Sequence, residues 1–187
     1  MGEIPRHLFV PLELRSQAYE NRPLPIGEAQ TISQPYVVAR MTELARVGRG
    51  EKVLEVGTGS GYQAAILERM GAVVYTIEII PGLAHRARRT LDSLGYRNVQ
   101  YRIGDGYRGW PEAAPFDAIL VTATPDHVPR PLMDQLAIGG HLVIPVGAAA
   151  SDQELLVVTR TAIGTHTEKI IRVRFVPMTG EAEHPPR

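Results

Sequence analysis

The chain contains no cysteine, which excludes disulfides, thiolate nucleophiles and cysteine-ligated metals. It carries no net charge, Lys plus Arg and Asp plus Glu both numbering 20, so no overall field draws it to nucleic acid or an anionic membrane. No apolar stretch approaches the length of a membrane span, and the N-terminus lacks the basic-then-apolar pattern of a secretion signal. Six histidines (His7, His85, His127, His141, His166 and His184) are scattered, with no i, i+4 pair to build a metal site. No His-Ser-Asp set can be argued from spacing, because such triads assemble in space. Internal repeats and low-complexity tracts are also missing. The expectation is a cytoplasmic monomer that uses no metal and binds neither nucleic acid nor membrane.

What is present is an ordinary globular composition, 44% hydrophobic and 21% charged over 187 residues, the size of one domain. Its most informative segment is Val53-Leu54-Glu55-Val56-Gly57-Thr58-Gly59-Ser60-Gly61-Tyr62. This pattern predicts a buried strand running into a glycine-rich turn that opens a helix. A second apolar run, Val73–Ile77, ends at Glu78, 21 positions after Gly57. A nucleotide-binding fold places a carboxylate at that distance against ribose hydroxyls. The dinucleotide fingerprint G-x-G-x-x-G needs a third glycine where this chain has Tyr62. A tyrosine there crowds the pyrophosphate, which disfavours an NAD(P)-dependent oxidoreductase. The E-x-G-x-G-x-G form instead resembles the first motif of class I S-adenosylmethionine-dependent methyltransferases.

From Lys52 onward strands and helices alternate, which implies a parallel sheet covered on both faces. The expected strands are 52–56, 72–77, 99–103, 116–121 and 141–146, with helices over about 60–70, 81–94 and 131–136. Pro81 suits a first helical turn, and Leu83, Ala87, Leu91 and Leu94 recur at helical spacing before Gly95. His85, Arg86, Arg88 and Arg89 form the solvated side of that helix. The last two strands, Glu154–Arg160 and Lys169–Val176, flank a turn-like segment at 162–167 and suggest an antiparallel hairpin. The fold class is therefore α/β, a doubly wound, mostly parallel seven-stranded sheet ending in a hairpin. One domain spans 1–187: a covering segment 1–50 with a helix at about 35–46, a Rossmann-like core 51–180, and a mobile tail 181–187.

Several segments together resemble one family, the protein-L-isoaspartate O-methyltransferases. They are Arg6-His7-Leu8-Phe9-Val10-Pro11, Tyr19-Glu20-Asn21, Pro23-Leu24-Pro25-Ile26-Gly27 and Gln30-Thr31-Ile32-Ser33-Gln34-Pro35-Tyr36. Further on come Gly104-Asp105-Gly106, Ala114-Pro115-Phe116-Asp117-Ala118-Ile119, Gly139–Gly147 and Val176-Pro177-Met178-Thr179. The glycine motif is shared by many methyltransferases; T-I-S-x-P with the late V-P-x-T is much narrower. The resemblance covers about residues 5–180. It implies methyl transfer from S-adenosylmethionine to the α-carboxylate of L-isoaspartyl residues in damaged proteins or peptides, starting repair through a succinimide. Family members usually carry a helix of twenty-odd residues before this chain's first segment, and a shortened N-terminus is the expectation. Alternatives are an enzyme that methylates normal aspartate to drive aspartimide formation, and a cofactor-binding protein without turnover.

The resemblance also assigns roles. Ser33 is the family's active-site serine, an orienting residue; read alone, it is also a natural helix cap near Pro35. Gln30, Thr31 and Ile32 line the same turn, on the cofactor side. Gly57, Thr58, Gly59, Ser60 and Gly61 form the cofactor loop, with Glu55 ordering it or meeting the cofactor's ammonium. Glu78 takes the ribose hydroxyls, with Ile79 beside it. Asp105-Gly106 is expected to take the adenine amino group, although an Asp-Gly turn is the plain alternative. Thr179 matches a cofactor-contacting threonine. His184 stands where animal members have a glutamine, and that contact is not carried over. Trp110 is expected to pack in the core.

Overall fold

Lys52–Val56 (β3) is the third strand, beside the central one, of a seven-stranded sheet in the order β5-β4-β3-β6-β7-β8-β9. This computed structural model describes residues 2–148 and 152–183. Val73–Glu78 (β4) and Phe116–Val121 (β6) flank β3 in parallel, with Val99–Ile103 (β5) outside β4. Leu136–Val146 (β7) continues the parallel set. Gln153–Thr161 (β8) and Gly164–Val173 (β9) then pair antiparallel, as the expected terminal hairpin. Chain order reverses between β3 and β6, so a crevice opens there at the carboxyl ends of the strands.

The central strands are apolar on both sides because both faces of the sheet are covered. Val53 and Leu120 join one buried cluster, while Leu54 and Ile119 join the other. The covering is unequal. Helices Pro35–Ala45 (α1), Tyr62–Arg69 (α2) and Pro81–Ser93 (α3) all bury residues in the first cluster. The second face is closed by short pieces: Arg130–Asp134 (α4), the 3-10 turns Gly106–Arg108 and Pro111–Ala113, and Trp110 packed edge-on to Tyr75. Trp110 is thus core packing, as expected.

Three expectations shift. β7 begins at Leu136 rather than after Gly139-Gly140, because that pair is a strand irregularity and not a stop. A β-carbon at Gly140 would stand 2.8 Å from the Asp117 carbonyl and 3.2 Å from that of Phe116, beside the register shift between β6 and β7. The final hairpin turns at Ala162-Ile163 alone, so the expected segment 162–167 is mostly strand. Glu181–Glu183 is not a loose tail but part of a 3-10 turn, Gly180–Glu183; residues 184–187, and with them His184, lie outside the described residues. Before the sheet, a small hairpin of Leu24–Gly27 (β1) and Gln30–Ile32 (β2) reaches over the crevice. Arg86 of α3 ties it down, donating to the Ile26 carbonyl at 3.2 Å and standing 3.6 Å from Glu28.

Candidate active site

Three cavities meet at the crevice, and Thr31 and Thr122 border all of them. The first, about 80 Å³, runs along the glycine loop between Gly57, Gly59, Glu78 and Ile79. Gln30, Leu83, Gly106 and Thr179 complete its walls. The second, about 390 Å³, opens outward between Ser33 and the end of β9. The third is an inner recess where Ile32, Ser33, Glu55, Thr58 and Ser60 converge. Of the site residues expected from sequence, only Gly61 and Asp105 line none of the three.

The three glycines of the loop differ in why they are glycine. Gly57 has φ +94°, and a β-carbon there would collide with Thr122 Oγ1, which donates to the Gly57 carbonyl at 2.7 Å. Gly59 has open space toward the cavity, with Ile26 3.6 Å from a built β-carbon. Gly61 faces the other way, against Leu91 and Ala87 of α3. It sets helix packing rather than approach to a ligand. Tyr62 then fills the site of a third dinucleotide glycine, buried edge-on against Phe9.

Glu78 ends β4 on the cavity wall. Its Oε2 accepts from the Gly59 N–H at 2.8 Å and its Oε1 from the Ile80 N–H at 3.0 Å. The carboxylate therefore shapes the loop and keeps its remaining lone pairs for hydroxyl donors in the cavity. Glu55 is different. It is wholly buried, and Oε2 accepts from Thr76 Oγ1 at 2.6 Å, which in turn stands 2.6 Å from Thr58 Oγ1. Among the described residues its Oε1 has no hydrogen-bond partner within 3.5 Å, although the Ala64 amide acts on the carboxyl from farther off. Burial pushes the Glu55 carboxyl up to about 8; the Thr76 bond opposes this, the nearby Glu78 adds to it, and the Ala64 backbone amide opposes it. An unpartnered carboxyl oxygen beside the inner recess suits a cationic ligand group.

Ser33 precedes α1 but does not cap it. The N-cap is Gln34, with no side-chain bond to the helix, and the Tyr36 N–H is taken by Asn21 Oδ1 at 3.1 Å. The Ser33 hydroxyl makes no hydrogen bond among the described residues, and it borders both the second and third cavities. Its backbone carbonyl accepts from Arg6 Nη2 at 2.8 Å. Asp105 behaves as the turn residue of the plain alternative. Oδ1 accepts from the Tyr107 N–H at 2.9 Å and Oδ2 from the Glu181 N–H at 2.7 Å, so the carboxylate joins the end of β5 to the 180–183 turn. Only its neighbour Gly106 reaches the first cavity.

Sequence reasoning missed Thr122, Leu83 and the backbone strap before Thr179. Thr122 follows β6 at the reversal of strand order, and that position was its signal. The strap is pinned across the sheet edge: the Thr124 N–H donates to the Val176 carbonyl and the Met178 N–H to the Thr124 carbonyl, both at 2.8 Å. Buried Gln153 accepts from the Phe175 N–H at 2.6 Å and from Thr124 Oγ1 at 2.9 Å. Among the described residues no histidine lines the three cavities and no metal-ligating cluster exists.

Comparison with known proteins agrees with this geometry. The family model described as Protein-L-isoaspartate(D-aspartate) O-methyltransferase (PCMT) matches residues 1–183. A protein-L-isoaspartate O-methyltransferase of Gloeobacter violaceus is 60% identical over 181 residues, 97% of this chain and 88% of that one. Protein-L-isoaspartate O-methyltransferase 2 of a Polaromonas species is also 60% identical, over 97% of this chain and 86% of its own length. A solved protein-L-isoaspartate O-methyltransferase superposes with a TM-score of 0.87 at 31% identity, covering 96% of this chain and 60% of the solved one. A Plasmodium falciparum chain of that description, in complex with S-adenosyl-L-homocysteine, gives 0.78 at 26% identity, covering 93% and 85%.

Proposed function

The chain belongs to the protein-L-isoaspartate O-methyltransferase family, and on that footing we propose that it methylates the α-carboxylate of L-isoaspartyl residues in damaged proteins or peptides. The observation that carries this reading is the unpartnered Ser33 hydroxyl, set where the outer cavity meets the recess beside the glycine loop. S-adenosylmethionine is the cofactor and supplies a methyl group on a sulfonium. Glu78 would hold its ribose hydroxyls, Gly57 and Gly59 offer bare backbone to it, and the free oxygen of Glu55 suits its ammonium.

The chain's own task is placement. The acceptor carboxylate is already ionised at neutral pH, so no general base is needed, in keeping with cavities that no histidine lines. Ser33 donates a hydrogen bond to one carboxylate oxygen and, with Thr31 and Thr122, displaces its water. The other oxygen is left to point at the inner recess. In-line transfer tolerates little misplacement, and a carboxylate one methylene out of position reacts on the order of a hundredfold more slowly. The peptide on either side of the reacting residue lies in the outer cavity, against Val37, Val173 and Val176. The methyl ester then closes to a succinimide without further help from the protein. A cytoplasmic monomer completes the proposal.

Matched isoaspartyl and aspartyl peptides with labelled cofactor test it. The isoaspartyl peptide should be labelled and its aspartyl twin remain nearly inert. Equal labelling of both would replace the repair reading with aspartimide formation, and no labelling of either would leave a binding protein.

A further inference from the structure

Arg6 is among the largest fully buried side chains of the protein, 1% exposed, and it is charged. Its Nε donates to the Ala18 carbonyl at 2.7 Å and its Nη2 to the Ser33 carbonyl at 2.8 Å. The guanidinium lies 5.0 Å from the centroid of the Tyr62 ring, at the start of α2. Nη1 has no hydrogen-bond partner among the described residues. No ion pair to Arg6 exists among the described residues. A guanidinium stays protonated in a protein, so a full positive charge sits in the interior with no acid beside it. Such a charge is strongly unfavourable unless something balances it.

What it touches indicates the balancing group. One contact is the backbone of Ser33, the turn that faces the acceptor. Another is the first helical residue after the glycine loop. Arg6 therefore bridges the two halves of the active site from behind.

We propose that Arg6 is the counter-charge of the acceptor site, a positioning residue that acts through the Ser33 turn and is balanced only when the substrate carboxylate is seated. The proposal rests on the reading that Ser33 receives an isoaspartyl carboxylate. It adds a consequence for turnover. Methylation removes the acceptor's negative charge, so the product no longer balances Arg6 and is held less tightly than the substrate. Because the guanidinium is shielded from solvent, salt screens this preference little. Exposed arginines at the mouth of the outer cavity, Arg172 and Arg174, would contribute a preference that salt abolishes.

The test compares an isoaspartyl peptide with the same peptide carrying a neutral α-carboxamide. Both are bound to wild-type protein, Arg6→Met and Arg6→Lys, with S-adenosylhomocysteine affinity and melting followed in parallel. Wild type should prefer the anion by about tenfold or more, the size of charge-assisted contacts, in high salt as well as low. Arg6→Met should bring the ratio near unity and lower kcat/KM, with S-adenosylhomocysteine affinity within a few-fold of wild type. Arg6→Lys, which keeps the charge but not the fork of two bonds, should retain most of the ratio and lose kcat. An unchanged ratio in Arg6→Met, with only melting altered, overturns the proposal and leaves Arg6 a structural tie. If Arg6→Met does not fold, loss of the ratio in Arg6→Lys overturns it. Wild type that methylates no isoaspartyl peptide removes the underlying reading as well, so the two failures are told apart.

Discussion

Two glutamates at one sheet edge have different surroundings. Glu78 accepts two backbone N–H groups and faces a cavity, whereas Glu55 has one hydroxyl donor, no solvent and a carboxylate neighbour. Glu78→Ala should weaken cofactor binding by about tenfold or more, since hydrogen bonds to a charged group contribute ~1.5–3 kcal/mol; calorimetric titration with S-adenosylhomocysteine measures it, and an indifferent variant removes Glu78 from the cofactor site. Ser33→Ala should cut turnover strongly while leaving cofactor affinity within a few-fold. It should also leave melting nearly unchanged, because the side chain caps nothing. Full turnover in that variant would end its orienting role.

Glu55 makes a pH prediction. Its folded-state value of about 8 stands above the ordinary 4.5, so the folded protein keeps a proton that the unfolded chain releases. The stability this contributes is full below about 4.5 and is lost as pH rises through about 8. The ligand-free wild type should therefore melt at progressively lower temperature between pH 5 and 8 relative to Glu55→Gln, which cannot ionise. A protein of this size shifts by roughly 2–4 °C per kcal/mol. Parallel melting curves for the two proteins across that range would show that Glu55 is not held neutral.

At the scale of elements, the strap from Phe175 to Thr179 explains why the cavity has an outer wall. Among the described residues its strand pairing is one bridge, Thr124 to Pro177, so Gln153 and Thr124 hold it. Gln153→Leu should strand the Phe175 N–H and cost about 1–3 kcal/mol, the cost of one unsatisfied buried group. It should weaken cofactor binding several-fold through displacement of Thr179. Denaturant titration and ligand titration check the two parts separately, and wild-type values in both would show the strap to be held by its backbone bonds alone. The elements most legible in the sequence were those whose apolar runs are bounded by glycine or proline, such as β3, β6 and α3. β7 was legible only in its second half, because Gly139-Gly140 has the composition of a stop but lies within the strand, Gly140 pressed against the Asp117 carbonyl beside the register shift with β6.

At the scale of the whole molecule, ligand binding and stability are linked. S-adenosylmethionine or S-adenosylhomocysteine at a hundred times its dissociation constant should add about 2.7 kcal/mol to unfolding, raising Tm in a thermal shift assay. NAD should leave it unchanged, because Tyr62 occupies the place of the third dinucleotide glycine. Equal stabilisation by NAD would overturn the cofactor assignment.

The local sequence determined the order of elements, the seven-stranded sheet with its terminal hairpin, the glycine loop and the acid 21 residues beyond Gly57. These features depend on periodicity, turn chemistry and spacing along a short stretch of chain. Only the tertiary structure decided what each group faces. It turned Gly61 toward Leu91, engaged both oxygens of Asp105 inside the protein, and left the Ser33 hydroxyl free. It also brought Arg6 against Ser33, 27 residues away, and buried Glu55 with one oxygen unpartnered. Burial, hydrogen bonding and charge balance at these positions are set by segments far apart in the chain, so no local pattern could disclose them.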